Sequence, residues 1–346
     1  AEAMPPSLIA TTLRMAAPVL LLAGAALLAP GAAAQADPQA AERDARHWLS
    51  RLHEAAGKRN FQGTFVVSTG GSMASARIVH FCEGDSQFER IEPLDGQKRQ
   101  IYRHDDVVHS FWPHSRQAVV ETRLAMRGFP ALLSSGADRI LEHYEAHNLG
   151  DGRVAGHEAR VLLLKPRDRY RHGQRLWAEK QSGLLLRAEV FDERDVVLEA
   201  AAFSDLMIGV KPRPELVKQA MKRLEGFEVH RPRLDQVDLD REGWAFSNLP
   251  PGFRLVSSVR RAMQPAQGGA ADAPPKVLQA IYSDGLTHVS VFIEPFDAAA
   301  QRREVQVALG AMQTLARRQG DWWLTVVGDV PVVTLRAFAA GLERRR

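Results

Sequence analysis

Along most of this chain the apolar positions do not follow a helical period. The clear exception is near the start, where Ala41, Ala45, Trp48, Leu49, Leu52, Ala55 and Ala56 fall three or four residues apart. Asp37 is placed to cap, Pro38 to start and Gly57 to end an amphipathic helix there. From Phe61 to about Val120 the pattern changes to short runs rich in β-branched and aromatic residues, at 64–67, 76–81, 87–91, 100–102, 107–111 and 118–120. Gly70-Gly71, Gly84-Asp85, Asp95-Gly96, Asp105-Asp106 and Pro113 separate them, which predicts an antiparallel meander rather than alternating strand and helix.

A helical interlude is predicted over 129–147, followed by strands at 157–164, 175–180, 184–191 and 196–203. In the third of these, alternation places Leu184, Leu186, Ala188 and Val190 on one face and Arg187 and Glu189 on the other, as in a sheet curled around an interior. From Gly209 to Glu242 the strand pattern stops. Pro212, Pro214 and Pro232 flank a short amphipathic helix carrying Leu216, Val217, Ala220, Met221 and Leu224, and the charge then turns acidic from Asp235 to Glu242. This segment is read as a linker between a domain over 38–208 and a second over 243–343. The second is expected to hold strands at 253–261, 277–282, 287–293, 312–318 and 323–327, a loop at Gly268-Gly269 and a closing helix over 332–342.

Composition adds compartment. The chain has 346 residues, 45% of them apolar, a formal charge of +4 and a single cysteine, Cys82, so an internal disulfide is excluded. Residues 15–30, MAAPVLLLAGAALLAP, carry no charge, follow Arg14 and precede Ala32-Ala33-Ala34. That order is expected of a secretory signal peptide over 1–34, cut near Ala34-Gln35. Its unbroken apolar part is about half of the ~20 residues that a membrane helix needs. Cys82, alternating with Ile78 and His80 on a strand, is read as an inert buried thiol.

Candidate chemistry is sparse. No phosphate loop, no GxSxG elbow and no cysteine pair with metal spacing occurs. His143 and His147 stand four apart as zinc ligands on a helix would, but the intervening Glu145 is one place later than in HExxH and no third ligand is evident. No catalytic site, metal or cofactor is expected. Basic residues alternate with acids, so nucleic acid is not an expected partner.

Four segments carry a resemblance. They are Arg175-Leu-Trp-Ala-Glu-Lys-Gln-Ser-Gly-Leu184, Leu249-Pro-Pro-Gly-Phe253 with Ser257-Ser-Val-Arg-Arg261, Tyr282-Ser-Asp-Gly-Leu286 with Val289-Ser-Val-Phe292, and Val326-Val-Gly-Asp-Val-Pro331 with Thr334. In this order they resemble the periplasmic sigma-E regulatory family of RseB and MucB, departing from it at Asp329 and at Val332-Val333. The resemblance implies an α+β, mostly antiparallel fold. A half-open β-barrel plugged by helices, similar to the lipoprotein carriers LolA and LolB, would be joined to a smaller antiparallel α+β C-terminal domain. It also implies a non-enzymatic periplasmic role, in which the protein binds the periplasmic region of a membrane-spanning anti-sigma factor (RseA or MucA) and shields it from the site-one protease. Lipopolysaccharide or lipoprotein acyl chains would relieve the shield, and homo-oligomers occur in the family. A carrier of lipid or lipoprotein is the alternative.

On this reading Trp177, Leu184, Leu186 and Val190 are the candidates for lining a lipid cavity, unless they fill a closed core. Arg260, Arg261, Tyr282 and Asp284 are the candidates for meeting the partner peptide, unless Ser283-Asp284-Gly285 is simply a hairpin turn and Tyr282 a core residue.

Overall fold

The computed structural model describes residues 38–122, 128–262, 276–298 and 303–345. The expected leader over 1–34, the Asp37 cap and the Gly268-Gly269 loop lie outside the described residues. Helix α1 (Pro38–Lys58) leads into an antiparallel meander of β1 (Phe61–Thr69), β2 (Ser72–Glu83), β3 (Ser86–Pro93), β4 (Gln100–His104), β5 (Val107–Trp112) and β6 (Gln117–Thr122). Helix α2 (Ala137–His143) precedes a second meander of β7 (Tyr144–Val154), β8 (His157–Pro166), β9 (Gly173–Glu179), β10 (Leu185–Phe191) and β11 (Val197–Ile208). Strand β11 returns to pair with β1, fusing the meanders into one sheet whose outermost strand on that side is β7.

The segment 209–242 is more structured than its pattern suggests. It holds α3 (Pro214–Lys222) and two three-residue strands, β12 (Glu228–His230) and β13 (Leu234–Gln236). Strand β12 adds in parallel to β6, making a twelve-stranded sheet, while β13 adds antiparallel to the next sheet. Runs this short carry too little alternation to be read as strands. Their pairing is supplied by the edges of sheets already formed.

The second lobe comprises β14 (Trp244–Phe246), β15 (Arg254–Ala262), β16 (Lys276–Ser283), β17 (His288–Pro295), β18 (Val305–Leu309), β19 (Met312–Gln319), β20 (Trp322–Gly328), α4 (Val332–Gly341) and β21 (Leu342–Arg344). Its seven-stranded sheet runs β13-β15-β16-β17-β20-β19-β18, and β14 and β21 form a separate ribbon. The fold is thus α+β and mostly antiparallel, with four helices among the described residues. The large sheet is open, because its end strands β7 and β12 do not pair with each other. The described residues form one compact unit.

The core follows from the helix stripe. Ala45, Trp48, Leu49, Leu52, Ala55 and Ala56 of α1 are buried, whereas Ala41 stays exposed. Burying a leucine fully contributes about 1.5–3 kcal/mol, and Leu49 is completely enclosed by side chains of α2, β8, β9 and β10. Helix α3 covers the other face of the sheet. Ile78 on β2 joins the α1 side, while Phe81, three residues on, packs with Val217 and Met221 of α3.

Two expectations fail at the level of elements. The helical interlude ends at His143, and Tyr144 is already extended as the first residue of β7. His143 and His147 therefore do not share a helix face. The single face assigned to Leu184, Leu186, Ala188 and Val190 is broken by a β-bulge between Leu185 and Arg187. Leu184 and Leu186 pack with Phe61, Ile78 and Phe203, whereas Leu185 and Ala188 pack with Leu49 and Ile140.

Candidate functional site: the joint between the lobes

The motifs Leu249-Pro-Pro-Gly-Phe253, Tyr282-Ser-Asp-Gly-Leu286 and Val326-Val-Gly-Asp-Val-Pro331 all come from loops at one end of the second lobe, and that end packs on the first lobe. At the centre lies Asp284, whose side chain is fully buried. The backbone N–H groups of Leu286 and Thr287 donate to its Oδ1 at 2.9 Å each, an Asx turn that fixes the β16–β17 hairpin. Its Oδ2 accepts from the Tyr144 hydroxyl at 3.2 Å and lies 3.4 Å from Nη1 of Arg171, itself fully buried. Arg171 also pairs with Asp168 at 3.3 Å, donates to the Pro251 carbonyl, and sits 5.2 Å from the ring centre of Phe253.

Around this pair the joint is closed by backbone contacts. Arg139 of α2 donates to the Ser283 carbonyl at 2.6 Å, and Ser134 N–H donates to the Gly285 carbonyl at 2.9 Å. Thr334 at the start of α4 donates to the Tyr170 carbonyl at 2.7 Å. Leu286 is buried in the first lobe's cluster beside Trp48, Leu133 and Ile140, so the two cores meet there. Two glycines permit the approach. Gly252 has φ +83°, and a Cβ on it would lie 2.3 Å from the His143 ring; Gly285 has φ +106°, and its Cβ would lie 1.8 Å from Ser135 Oγ.

Burial shapes the titration of this region. His143 is held below the ordinary histidine range by burial and then by the Arg171 guanidinium, and burial lowers His172 likewise. Burial, with the Asp284 carboxylate second, pushes the Tyr144 phenol well up. Both histidines stand neutral at pH 7, and Tyr144 stays protonated as the hydrogen-bond donor to Asp284.

The other candidate residues are dispersed. Tyr282 is buried in the second lobe's core, edge-on to Phe246 and Phe338. Arg260 pairs with Glu242, and Arg261 donates to Gln279 Oε1 at 3.2 Å; both lie on β15 where β13 pairs with it. Leu184 and Leu186 are completely buried, and side chains of α1, β1, β2 and β11 fill the space around them. Val190 is half-buried. Trp177 is half-buried and packs against the same cluster as Leu184 and Leu186, with the Arg187 guanidinium 4.8 Å from its ring centre. Cys82 is half-buried; its Sγ donates to the Gly57 carbonyl at 2.9 Å, and burial, then Glu89, raises its pKa. A thiol so held is protonated and a poor nucleophile. Arg171, Tyr144 and Arg139 escaped the sequence reading. Their only signal was the density of Gly, Pro and Asp in the loops that they meet.

Known proteins align with the whole of this two-lobed body. The MucB/RseB N-terminal domain model matches residues 44–223, and the MucB/RseB C-terminal domain model matches residues 238–343. The sigma factor AlgU regulatory protein MucB of Pseudomonas aeruginosa is 31% identical over 307 residues, 87% of this chain and 91% of that protein. The sigma-E factor regulatory protein RseB of Haemophilus influenzae is 24% identical, over 87% of this chain and 91% of its own. Among solved structures, the complex of Pseudomonas aeruginosa MucA and MucB superposes with a TM-score of 0.67 at 29% identity, covering 88% of this chain and 99% of that one. Among the described residues no helix is long and apolar enough to cross a membrane. With both family domains matched in order, and three of the motifs that carried the resemblance meeting at the joint between them, this chain belongs to the MucB/RseB family.

Proposed function

We propose that this protein is a periplasmic negative regulator of an envelope-stress response of the sigma-E type. It binds the periplasmic region of a membrane-spanning anti-sigma factor and shields that region from site-one proteolysis. The observation that carries this reading is the match over both lobes to MucB, which has been solved in complex with the periplasmic region of MucA. The uncharged run over 15–30 followed by Ala32-Ala33-Ala34 supports export, with cleavage near Ala34-Gln35.

The role is binding rather than catalysis, and it depends on two domains, 38–208 and 243–343, held at a fixed angle by the joint. Relief by lipopolysaccharide or lipoprotein acyl chains fits this body only if the first lobe opens. An acyl chain gains about 0.8 kcal/mol per buried CH₂, and it would have to displace Leu184 and Leu186 from their packed positions to do so.

Titration calorimetry of the chain from residue 35 onward with the periplasmic region of the anti-sigma factor tests the reading. A saturable complex at micromolar concentration or tighter is expected. No heat of binding, with both proteins folded, overturns it.

A further inference from the structure

The second lobe carries a cleft of about 560 Å³ whose lining includes neither Asp284 nor Arg171 of the joint. It lies between the turn after β13, strand β14, and the strands β15 and β16. Its apolar walls include Leu239, Trp244, Phe246, Leu249 and Tyr282. A volume of this order accommodates one or two large side chains of a partner, or part of a small ligand. Leu255 stands at its lining, 46% exposed, where a β-bulge between Leu255 and Ser257 turns the strand outward, and Val256 beside it is equally exposed. Two apolar side chains held in water at the edge of an aromatic cleft form a surface suited to burial by a partner.

Charge says which partner. Asp238 and Asp240 also line the cleft and are exposed. The chain already supplies a cation to one of them. Arg345 lies 3.1 Å from Asp240, with both side chains about two-thirds exposed. An exposed pair of this kind is worth little and exchanges readily. The rim therefore accepts a guanidinium and can trade it for another. An anionic lipid headgroup would instead meet two carboxylates at the same place.

We propose that this cleft is a docking site for a segment of the anti-sigma factor's periplasmic region that presents a large apolar side chain beside a lysine or arginine. The apolar side chain enters between Trp244 and Leu255, and the cation replaces Arg345 on Asp240, with the Asp238 carboxylate beside it. The inference rests on the function proposed above and adds to it where the partner is gripped and by what chemistry.

The test uses the full chain and overlapping synthetic peptides covering the partner's periplasmic region, read by fluorescence anisotropy. The peptides that bind are expected to carry Lys or Arg within two residues of a large apolar side chain. The double charge reversal Asp238→Lys with Asp240→Lys, and separately Leu255→Glu, should each weaken binding of the whole periplasmic region by about tenfold or more. Arg345→Gln, which removes the internal competitor, should tighten it by about twofold. All these positions are exposed, and unchanged thermal melting shows that the variants fold. If the wild type binds the region while both cleft variants keep its affinity within about twofold, the cleft is refuted and the proposed function stands. If the wild type does not bind at all, the proposed function fails and the cleft assignment with it. Binding of vesicles rich in phosphatidylglycerol that Leu255→Glu abolishes, without any effect on the peptides, assigns the cleft to a membrane and also overturns the proposal.

Discussion

The joint and the cleft each hold an aspartate–arginine pair, Asp284 with Arg171 at 3.4 Å and Asp240 with Arg345 at 3.1 Å. Nearly equal distances conceal opposite environments. Both side chains of the first pair are fully buried, and the Asp284 carboxylate accepts a phenol and two backbone N–H groups besides. Both side chains of the second are mostly in water. A buried pair is costly to break, because removing one partner leaves an uncompensated charge, whereas an exposed pair is screened and exchangeable. The difference teaches that one carboxylate belongs to the architecture and the other is available to a visitor, although the sequence writes both simply as Asp.

That contrast can be broken outright by substitution. Asp284→Ala should lower the unfolding free energy by about 3–5 kcal/mol, measured by urea denaturation. Asp240→Ala should change it by less than about 1 kcal/mol. Equal losses at the two sites would end the comparison.

A finer test leaves the charges alone. Gly252→Ala puts a methyl group into the His143 ring at a positive φ, so it should destabilise by more than about 1 kcal/mol. Glycines at φ of similar sign with nothing nearby, such as Gly226, should tolerate alanine better. A joint that yields easily would erase the distinction.

The smallest effect expected is on pH dependence. His143 and His172 have folded pKa values below 6.5, so the unfolded chain binds more protons just below that pH. The stability that comes from keeping them neutral is complete above about 6.5 and is lost as pH falls through the window down to their folded values. His109, lowered by burial away from the joint, adds to the same slope. Urea midpoints should therefore fall on acidification below neutrality, and His143→Gln should flatten that fall. A slope unchanged in His143→Gln would remove this residue from the account.

How much of this was legible in the sequence depends on how local the determinant is. The α1 stripe, the meander strands and the turn motifs are written within a dozen residues, and each formed nearly where periodicity placed it. Strand β7 was missed because it is the sheet's edge. Exposed residues such as Glu145, Asn148 and Asp151 interrupt its alternation, and its register shifts between Asn148 and Asp151. Strand β18 was missed despite a signal, since Val305, Val307 and Leu309 alternate before Gly310. At the site, the motif loops were found but their use was not. Asp284 reads as a hairpin aspartate until Arg171, distant in the chain, is brought to it by packing. The cleft likewise depends on β13, β14 and β16 converging, which no window of sequence contains.

The central claim is that this two-lobed body acts by covering its partner. The most direct measurement is the rate at which a site-one protease cleaves the anti-sigma factor's periplasmic region with and without stoichiometric full-length protein. The wild type should slow cleavage strongly, and the Asp238→Lys, Asp240→Lys variant should lose that protection while its fold remains intact. Cleavage that proceeds at the same rate in the presence of the wild-type protein would contradict the claim.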